Sequence, residues 1–238
     1  KPVRYELART LLLAAGALEP AEVVPPRPVT DEDLLTVHDE RYVAVVKAAS
    51  SPSRSADAQL QRHGLATADN PAFPRMHELV RGVVAATVTA VELVASGEAL
   101  RAASLAGGLH HALRDRASGF CVYNDLAVAI RRAVDRHGLR VAYVDVDAHH
   151  GDGVQWLFYD EPRVLTVSVH ESGRYLFPGT GFTYETGNGD GRGSAVNVPL
   201  EPFTDDDSFL ECFDAVVPRA LRRFAPDLIV AQAGADMH

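Results

Sequence analysis

Four short apolar runs along the chain have the length and composition of buried β-strands. They are "AASL" near Ser104, "RVAYVDV" from Arg140, "RVLTVSV" from Arg163 and "DLIVAQ" from Asp227. Short runs of β-branched or apolar residues are typical of strands that are covered on both faces. The pattern therefore predicts a strand in each of these places.

Stretches with helical periodicity lie between several of these runs. "YNDLAVAIRRAVDRHG" has a cap candidate at Asn124 or Asp125, and Gly138 is placed to end the helix. "FPRMHELVRGVVAATVTAVELVASG" predicts a long helix that ends at Gly97, and "PPRPVTDEDLL" predicts a turn before a helix capped by Thr30. Alternating strands and helices predict an α/β fold, with a single parallel β-sheet flanked by helices on both faces.

Two long segments, residues 50–74 and 170–194, lack the period of a helix or a strand. The second is rich in glycine, but it contains neither G-x-G-x-x-G after a strand nor G-K-[ST]. We therefore expect a flexible loop there rather than a phosphate cradle. Loops of this length in a compact domain are often functional.

The composition is that of an ordinary globular domain. Hydrophobic residues make up 47% and charged residues 23% of 238 residues, which predicts one domain with one core. No apolar run approaches the roughly 20 residues that span a bilayer, and the start lacks a signal-peptide pattern, so we expect a cytoplasmic protein with no membrane partner. The net charge of −9 gives no reason to expect a nucleic-acid partner. Cys121 and Cys212 form no C-x-x-C pair, so a disulfide framework is not expected.

The stretch "YVDVDAHHGDG", which begins at Tyr143, concentrates polar groups at the end of a predicted strand. If the strand continues through Asp147, then Asp145 and Asp147 share one face and His149 continues that row. The carboxyl ends of parallel strands are where open α/β sheets bind ligands. A solvated strand end without chemistry is the alternative interpretation.

Three chemistries compete for this stretch. A calcium loop is excluded because His149 and His150 stand where an oxygen ligand and a glycine belong. An aspartyl phosphatase uses two aspartates spaced this way, but His149 breaks its continuation, so that reading is a minor alternative. A transition-metal site needs mixed oxygen and imidazole ligands, which Asp147 and His149 supply, and Asp236 at the end of the last predicted strand offers a third. Such a set with an open fourth position is typical of catalytic zinc.

The segment "GGLHHA" offers two adjacent imidazoles for proton transfer, His110 and His111. The preceding glycines let the backbone approach a site closely, and Asp145 and Asp152 could each orient one ring. Because a lone histidine is more often structural, it is the combination of these groups that favours catalysis.

The chain resembles the zinc-dependent histone deacetylase family, and most closely its bacterial acetoin-utilization deacetylase branch. The matching stretches, in family order, are "GGLHHALRDRASGFCVYNDLAVAI", "YVDVDAHHGDGVQWLFYDEPRVLTVSVH", "FPGTG", "AVNVPL" and "PDLIVAQAGAD". The resemblance implies an arginase/deacetylase fold in which the metal lies at the carboxyl ends of the strands. It also implies that residues 1–238 form a single deacetylase-like catalytic domain.

The resemblance implies a role for each polar residue singled out above. The implied zinc ligands are Asp147, His149 and Asp236. The implied catalytic residues are His111 as general base and then acid, Asp152 behind it, His110 as electrostatic partner and Asp145 behind His110. Iron(II) suits the same ligands as zinc.

Two further sets of residues are implied by the resemblance. The substrate-binding set, which lines an acyl-lysine tunnel and its rim, is Asp69, Gly119, Phe120 and Phe177. The set near a structural K⁺ or Na⁺ site is Asp145, Asp147, His149 and Ser168.

The chain departs from the family pattern at both ends. In the family an oxyanion-binding tyrosine follows a glycine-rich run beyond the aspartate that matches Asp236, and no G-G-G-Y stretch occurs here. The first residues lie inside what resembles an early family motif. We therefore expect a fragment of a longer gene product, truncated at both ends, without the N-terminal strand and the C-terminal portion.

The expected function is that of a metal-dependent hydrolase that removes acetyl groups from N-acetyl-lysine side chains of proteins. The alternatives are an acetylpolyamine or other small-amide amidohydrolase, an arginase-like ureohydrolase with two manganese ions, and a non-catalytic module that binds acyl-lysine. The arginase alternative is disfavoured because "DAHHGD" lacks the D-x-H-x-D spacing. The partner is thus an acetylated protein lysine or a small acetylated amine, and the sequence does not determine the oligomeric state.

Overall fold

A computed structural model describes residues 2–50 and 58–236. The strands are β1 (Val141–Asp145), β2 (Val164–Glu171), β3 (Ala195–Leu200) and β4 (Leu228–Gln232). The helices are α1 (Pro2–Ala14), α2 (Asp31–Leu35), α3 (Glu40–Ala49), α4 (Ala58–Arg62), α5 (Met76–Ala95), α6 (Asp125–His137), α7 (Asp152–Leu157) and α8 (Asp206–Phe224). Short 3₁₀ turns cover Pro20–Glu22 and Gly189–Gly191.

The four strands form one parallel sheet in the order β3-β2-β1-β4. Asp145, the last residue of β1, pairs in register with Ser168 of β2 on one side and with Gln232 of β4 on the other. All the strands therefore point the same way, and the segments that leave β1 and β4 emerge side by side.

Helices cover both faces of the sheet, as the alternation of strand and helix predicts. Along β1, Val141 and Tyr143 point into the main core, which α5 and α6 help to form, whereas Ala142 and Val144 point to the opposite face. That second face is covered by α8 through side chains such as Val217. The period of two along a strand sends neighbouring side chains to opposite faces, so β1 is buried throughout.

The predicted helix ends are set by local hydrogen bonds. Asn124 caps α6 by accepting a hydrogen bond from the Ala127 amide at 2.9 Å, and Gly138 ends that helix in the left-handed region at φ +67°. Thr30 precedes α2, and its amide donates to the Asp33 carboxylate at 2.9 Å. These caps confirm the predicted starts of α2 and α6.

The strand predicted at "AASL" is wrong. Residues 102–105 form an irregular, mostly exposed segment, and a short run without β-branched residues is a weak indication of a strand. The strand β3 was not predicted from periodicity, because Pro199 argues against a strand. Proline is tolerated there since β3 pairs on one side only, with β2.

The two long segments that were predicted to be irregular differ in secondary structure. Residues 51–57 of the first lie outside the described residues, and the rest contains the short helix α4, which its irregular sequence did not predict. The second runs from the end of β2 to β3 with only the one 3₁₀ turn. Within the described part of the chain, no helix is long and apolar enough to cross a membrane.

Candidate active site

Asp145 is fully buried at the carboxyl end of β1, and three groups donate hydrogen bonds to its carboxylate. The donors are Nδ1 of His110 at 2.7 Å, the hydroxyl of Tyr143 at 2.5 Å and the amide of Asp147 at 3.0 Å. A Cβ at Gly151 would overlap this carboxylate and would lie 3.2 Å from the Tyr143 hydroxyl. The position of this carboxylate therefore requires glycine at residue 151. The carboxylate in turn fixes the orientation of the His110 ring.

Asp147, His149 and Asp236 each offer a ligand atom, and these atoms all lie within 4.8 Å of one another. His149 Nδ1 is 2.9 Å from Asp236 Oδ2 and 3.2 Å from Asp147 Oδ1. β1 ends at Asp145, so Asp147 and His149 lie just beyond the strand rather than within it. Asp147 Oδ1 there accepts the His149 amide at 2.9 Å, a local turn that aspartate favours. Two carboxylates and an imidazole that converge in this way fit a zinc or iron(II) ion.

Asp147 is held as a carboxylate. Burial opposes its ionisation, but hydrogen bonds from His149 and the nearby imidazole of His110 outweigh burial and hold the pKa of Asp147 below its usual range. The side-chain amide of Gln232 also donates to Asp147 Oδ2, at 3.0 Å. A carboxylate with fixed orientation is what a metal ligand requires.

The imidazoles of His110 and His111 lie with ring centroids 4.0 Å apart, yet their pKa values move in opposite directions. Burial works against the charged form of His110, but the Asp145 carboxylate outweighs burial and raises the pKa of His110 to about 9. Burial, together with the neighbouring imidazoles, lowers the pKa of His111, although Nδ1 of His111 lies 2.7 Å from the Asp152 carboxylate. The raised pKa favours the cation at His110 and the lowered pKa favours the neutral imidazole at His111, which is an acid–base arrangement.

The aromatic ring of Phe177 packs against two imidazoles of this group. The Phe177 ring centroid lies 5.0 Å from that of His111 and 6.3 Å from that of His149. A Cβ at Gly119 would lie 2.5 Å from Cδ2 of His111 and 2.9 Å from the Phe177 ring, so glycine keeps this gap open. Phe120, the next residue, is 75% exposed. Phe177 is also exposed, so the ring that packs against the buried imidazole of His111 faces solvent as well.

Asp69 and Ser168, which were also predicted as site residues, differ in how close they lie to this group. Asp69 is exposed in the loop between α4 and α5, and among the described residues no hydrogen bond or ion pair joins it to this group. Ser168 is buried beside Asp145 in the sheet, and its hydroxyl lies 2.8 Å from Nδ1 of His170. The structure thus brings Ser168, but not Asp69, into contact with the residues around Asp145.

Sequence reasoning missed three residues of this region. Tyr143 lies two residues before Asp145 on the same face of β1, which is the indication that could have found it. Gln232 ends its strand opposite Asp145, a register that only strand pairing reveals. His150 was left unassigned; it is buried, and its ring nitrogens lie 2.8 Å from the Thr180 hydroxyl and 3.2 Å from the Gln155 side-chain oxygen.

The fold is a parallel α/β sheet with a candidate metal site at the carboxyl ends of its strands, and comparison with known proteins gives the family. The family model of the histone deacetylase domain matches residues 1–238, so the chain belongs to that family. This confirms the resemblance of the sequence motifs and the predicted fold class.

Similar proteins agree with this assignment. The chain is 48% identical over 235 residues to the acetoin utilization protein AcuC of Bacillus subtilis, and 44% identical over 236 residues to that of Staphylococcus aureus strain MRSA252. It covers 60% of each of these relatives, which in turn match 99% of the chain. A histone deacetylase homologue from Aquifex aeolicus superposes with a TM-score of 0.85 at 32% identity, over 92% of this chain and 59% of that one. A homologue solved in complex with SAHA gives 0.84 at 33% identity, with the same shares covered.

Proposed function

We propose that the protein containing this chain is a zinc-dependent deacetylase of the cytoplasm that hydrolyses the acetamide of N-acetyl-lysine side chains in proteins. One observation carries the proposal: the buried pair of His111 and Asp152 stands beside the cluster of Asp147, His149 and Asp236 at the carboxyl end of the sheet. Membership of the histone deacetylase domain family supports the same reaction class.

The three residues of that cluster would hold the metal ion, which when bound supplies Lewis-acid chemistry at the acetamide carbonyl. His111 hydrogen-bonds Asp152 through Nδ1, which leaves Nε2 for proton transfer. In the proposed reaction, Nε2 takes a proton from the attacking water and then gives it to the departing lysine amine. The lowered pKa of His111 suits this role, because a base must be neutral before it accepts a proton.

His110 is proposed to act electrostatically rather than as the base. Its imidazolium is held by Asp145 and lies next to His111, where a positive charge stabilises the oxyanion that develops on the acetamide. Two adjacent histidines thus take different roles because their carboxylate partners and neighbours differ.

The substrate path and the remaining assignments also belong to this proposal. The acyl-lysine side chain would pass Gly119, Phe120 and Phe177, and Asp69 would bind backbone amides of the substrate at the rim. A K⁺ or Na⁺ ion would lie near Ser168 and the carboxyl end of β1. Residues 1–238 would form one catalytic domain.

The test compares turnover of an acetyl-lysine peptide and of acetylputrescine by the zinc-loaded chain and by any longer gene product that contains it. We expect the peptide to be hydrolysed, with His111→Ala lowering kcat by about 10²- to 10⁴-fold while zinc binding is retained. Turnover of acetylputrescine alone would contradict the protein-lysine substrate. Zinc binding without turnover in every version would favour a module that binds acyl-lysine without cleaving it.

A further inference from the structure

The tandem histidines lie on a segment without regular secondary structure, so something other than a helix or strand must fix them. Residues at the start of α6 fix this segment by hydrogen bonds to its backbone. The side-chain amide nitrogen of Asn124 donates to the carbonyl of His110 at 3.3 Å and to that of Ala112 at 3.0 Å. These two carbonyls flank His111, so a single buried amide group holds the backbone on both sides of that residue.

Asp125, the next residue, holds the same segment just before the histidines. Its carboxylate accepts hydrogen bonds from the amide of Gly108 at 3.0 Å, the amide of Leu109 at 2.7 Å and the hydroxyl of Thr87 at 2.5 Å. Asp125 is fully buried, so these three donors make the hydrogen bonds to its carboxylate that water would make at the surface. The side chains of Asn124 and Asp125 therefore hold the backbone of residues 108–112 through hydrogen bonds.

Close packing leaves this arrangement little freedom. A Cβ at Gly153 would lie 2.5 Å from the carbonyl oxygens of both His110 and Ala112, and 2.9 Å from the Asn124 amide nitrogen. The His110 carbonyl also accepts the amide of Val154 at 3.3 Å, in the helix α7. That helix begins at Asp152, the partner of His111. The backbone of the histidine pair is thus tied to α6 and α7 at once.

Helix capping alone does not explain these contacts. The cap of α6 needs only the Asn124 side-chain oxygen, which accepts the Ala127 amide. Serine or aspartate would cap equally well. Only asparagine caps with its oxygen while its nitrogen donates to two carbonyls.

We propose that Asn124 and Asp125 are positioning residues that set the placement of His110 and His111 relative to Asp145, Asp152 and the metal ligands. The inference rests on the proposed deacetylase function, in which both imidazoles act on the substrate. A shift of the segment would move both rings away from the reacting atoms while the ligand cluster itself stays in place.

The test uses the substitution Asn124→Asp, which keeps the capping oxygen and removes the two donor bonds. We expect kcat for the acetyl-lysine peptide to fall by about 10- to 100-fold, because displacement of a catalytic group by about 1 Å has an effect of this size. KM and zinc affinity should stay unchanged. In the metal-free protein, the ¹H resonances of the imidazole N–H protons bonded to Asp145 and Asp152 should shift or broaden.

The matched control is Asp205→Asn, the reverse exchange at the N-cap of α8, where Asp205 accepts the Ser208 amide at 2.8 Å. It should alter neither kcat nor these resonances. If Asn124→Asp fails to fold, Asn124→Ser keeps a neutral capping oxygen and removes the same donors. Wild-type kcat and unshifted resonances in a folded variant would overturn the inference. If the wild-type protein hydrolyses no acetylated amine, the proposed function fails, and the resonances alone decide whether Asn124 positions the histidines.

Discussion

Gly234 lies between the end of β4 and Asp236, and its backbone passes directly against the carboxylate of Asp147. A Cβ at this position would lie 2.5 Å from Cγ and 2.9 Å from Cβ of Asp147, and closer still to Oδ2. Ordinary contacts of such an atom begin at 3.4 Å, so Gly234→Ala forces the two segments apart by about 1 Å.

The Asp147 carboxylate cannot simply rotate away from the added methyl group. Gln232 donates to its Oδ2 at 3.0 Å, and the His149 amide donates to its Oδ1 at 2.9 Å. The strain therefore moves either a ligand carboxylate or the segment that carries Asp236. We expect the dissociation constant for zinc to rise by about 100-fold, or about 2.7 kcal/mol.

A competitive zinc titration against a chromophoric chelator measures this change, with deacetylation of an acetyl-lysine peptide as a second readout. The matched control is Gly82→Ala, because a Cβ at Gly82 in α5 meets nothing within 4 Å. That variant should bind zinc like the wild type and, since alanine is favoured in helices, should gain up to about 1 kcal/mol in stability. A Gly234→Ala protein with unchanged zinc affinity and activity would refute the proposed ligand geometry.

Two further predictions concern the proposed metal site, and a third concerns an ion pair elsewhere in the fold. Gln232→Leu removes the donor to Asp147 and should weaken zinc binding by about 10-fold in the same titration; no change would mean that this amide does not orient the ligand. Removing the metal with EDTA should abolish turnover and lower the unfolding midpoint, and zinc should restore both; activity that survives removal would contradict a metal-dependent reaction. Hydrogen bonds from Arg163 and Arg131 lower the pKa of Glu161 to about 2 from its ordinary 4.5, so its carboxylate stabilises the fold above about pH 4.5 and loses that effect as the pH falls toward 2. Glu161→Gln should therefore reduce the free energy of unfolding at pH 7, and denaturant titrations should show the deficit shrinking below about pH 4.5; a deficit independent of pH would argue against an ion pair.

Local patterns were enough to predict the elements that carry the site. Short apolar runs predicted β1, β2 and β4, and Asn124 and Gly138 marked the ends of α6 because both act within one helical turn. The pattern misled at residues 102–105, where small apolar residues do not pair with any strand. It also missed β3, whose Pro199 is acceptable only because that strand lies at the edge of the sheet.

By itself, the sequence determined which chemical groups accompany which strand, because the order of residues along the chain is enough to put Asp147 and His149 at the carboxyl end of β1. Only the tertiary structure decided what surrounds them. The pairing of β4 with β1 places Gln232 opposite Asp145 and brings Asp236 to His149, and the contact of α6 with residues 108–112 fixes the tandem histidines. The physical reason is that these contacts join residues far apart in the sequence through sheet register and close packing, which no local periodicity records.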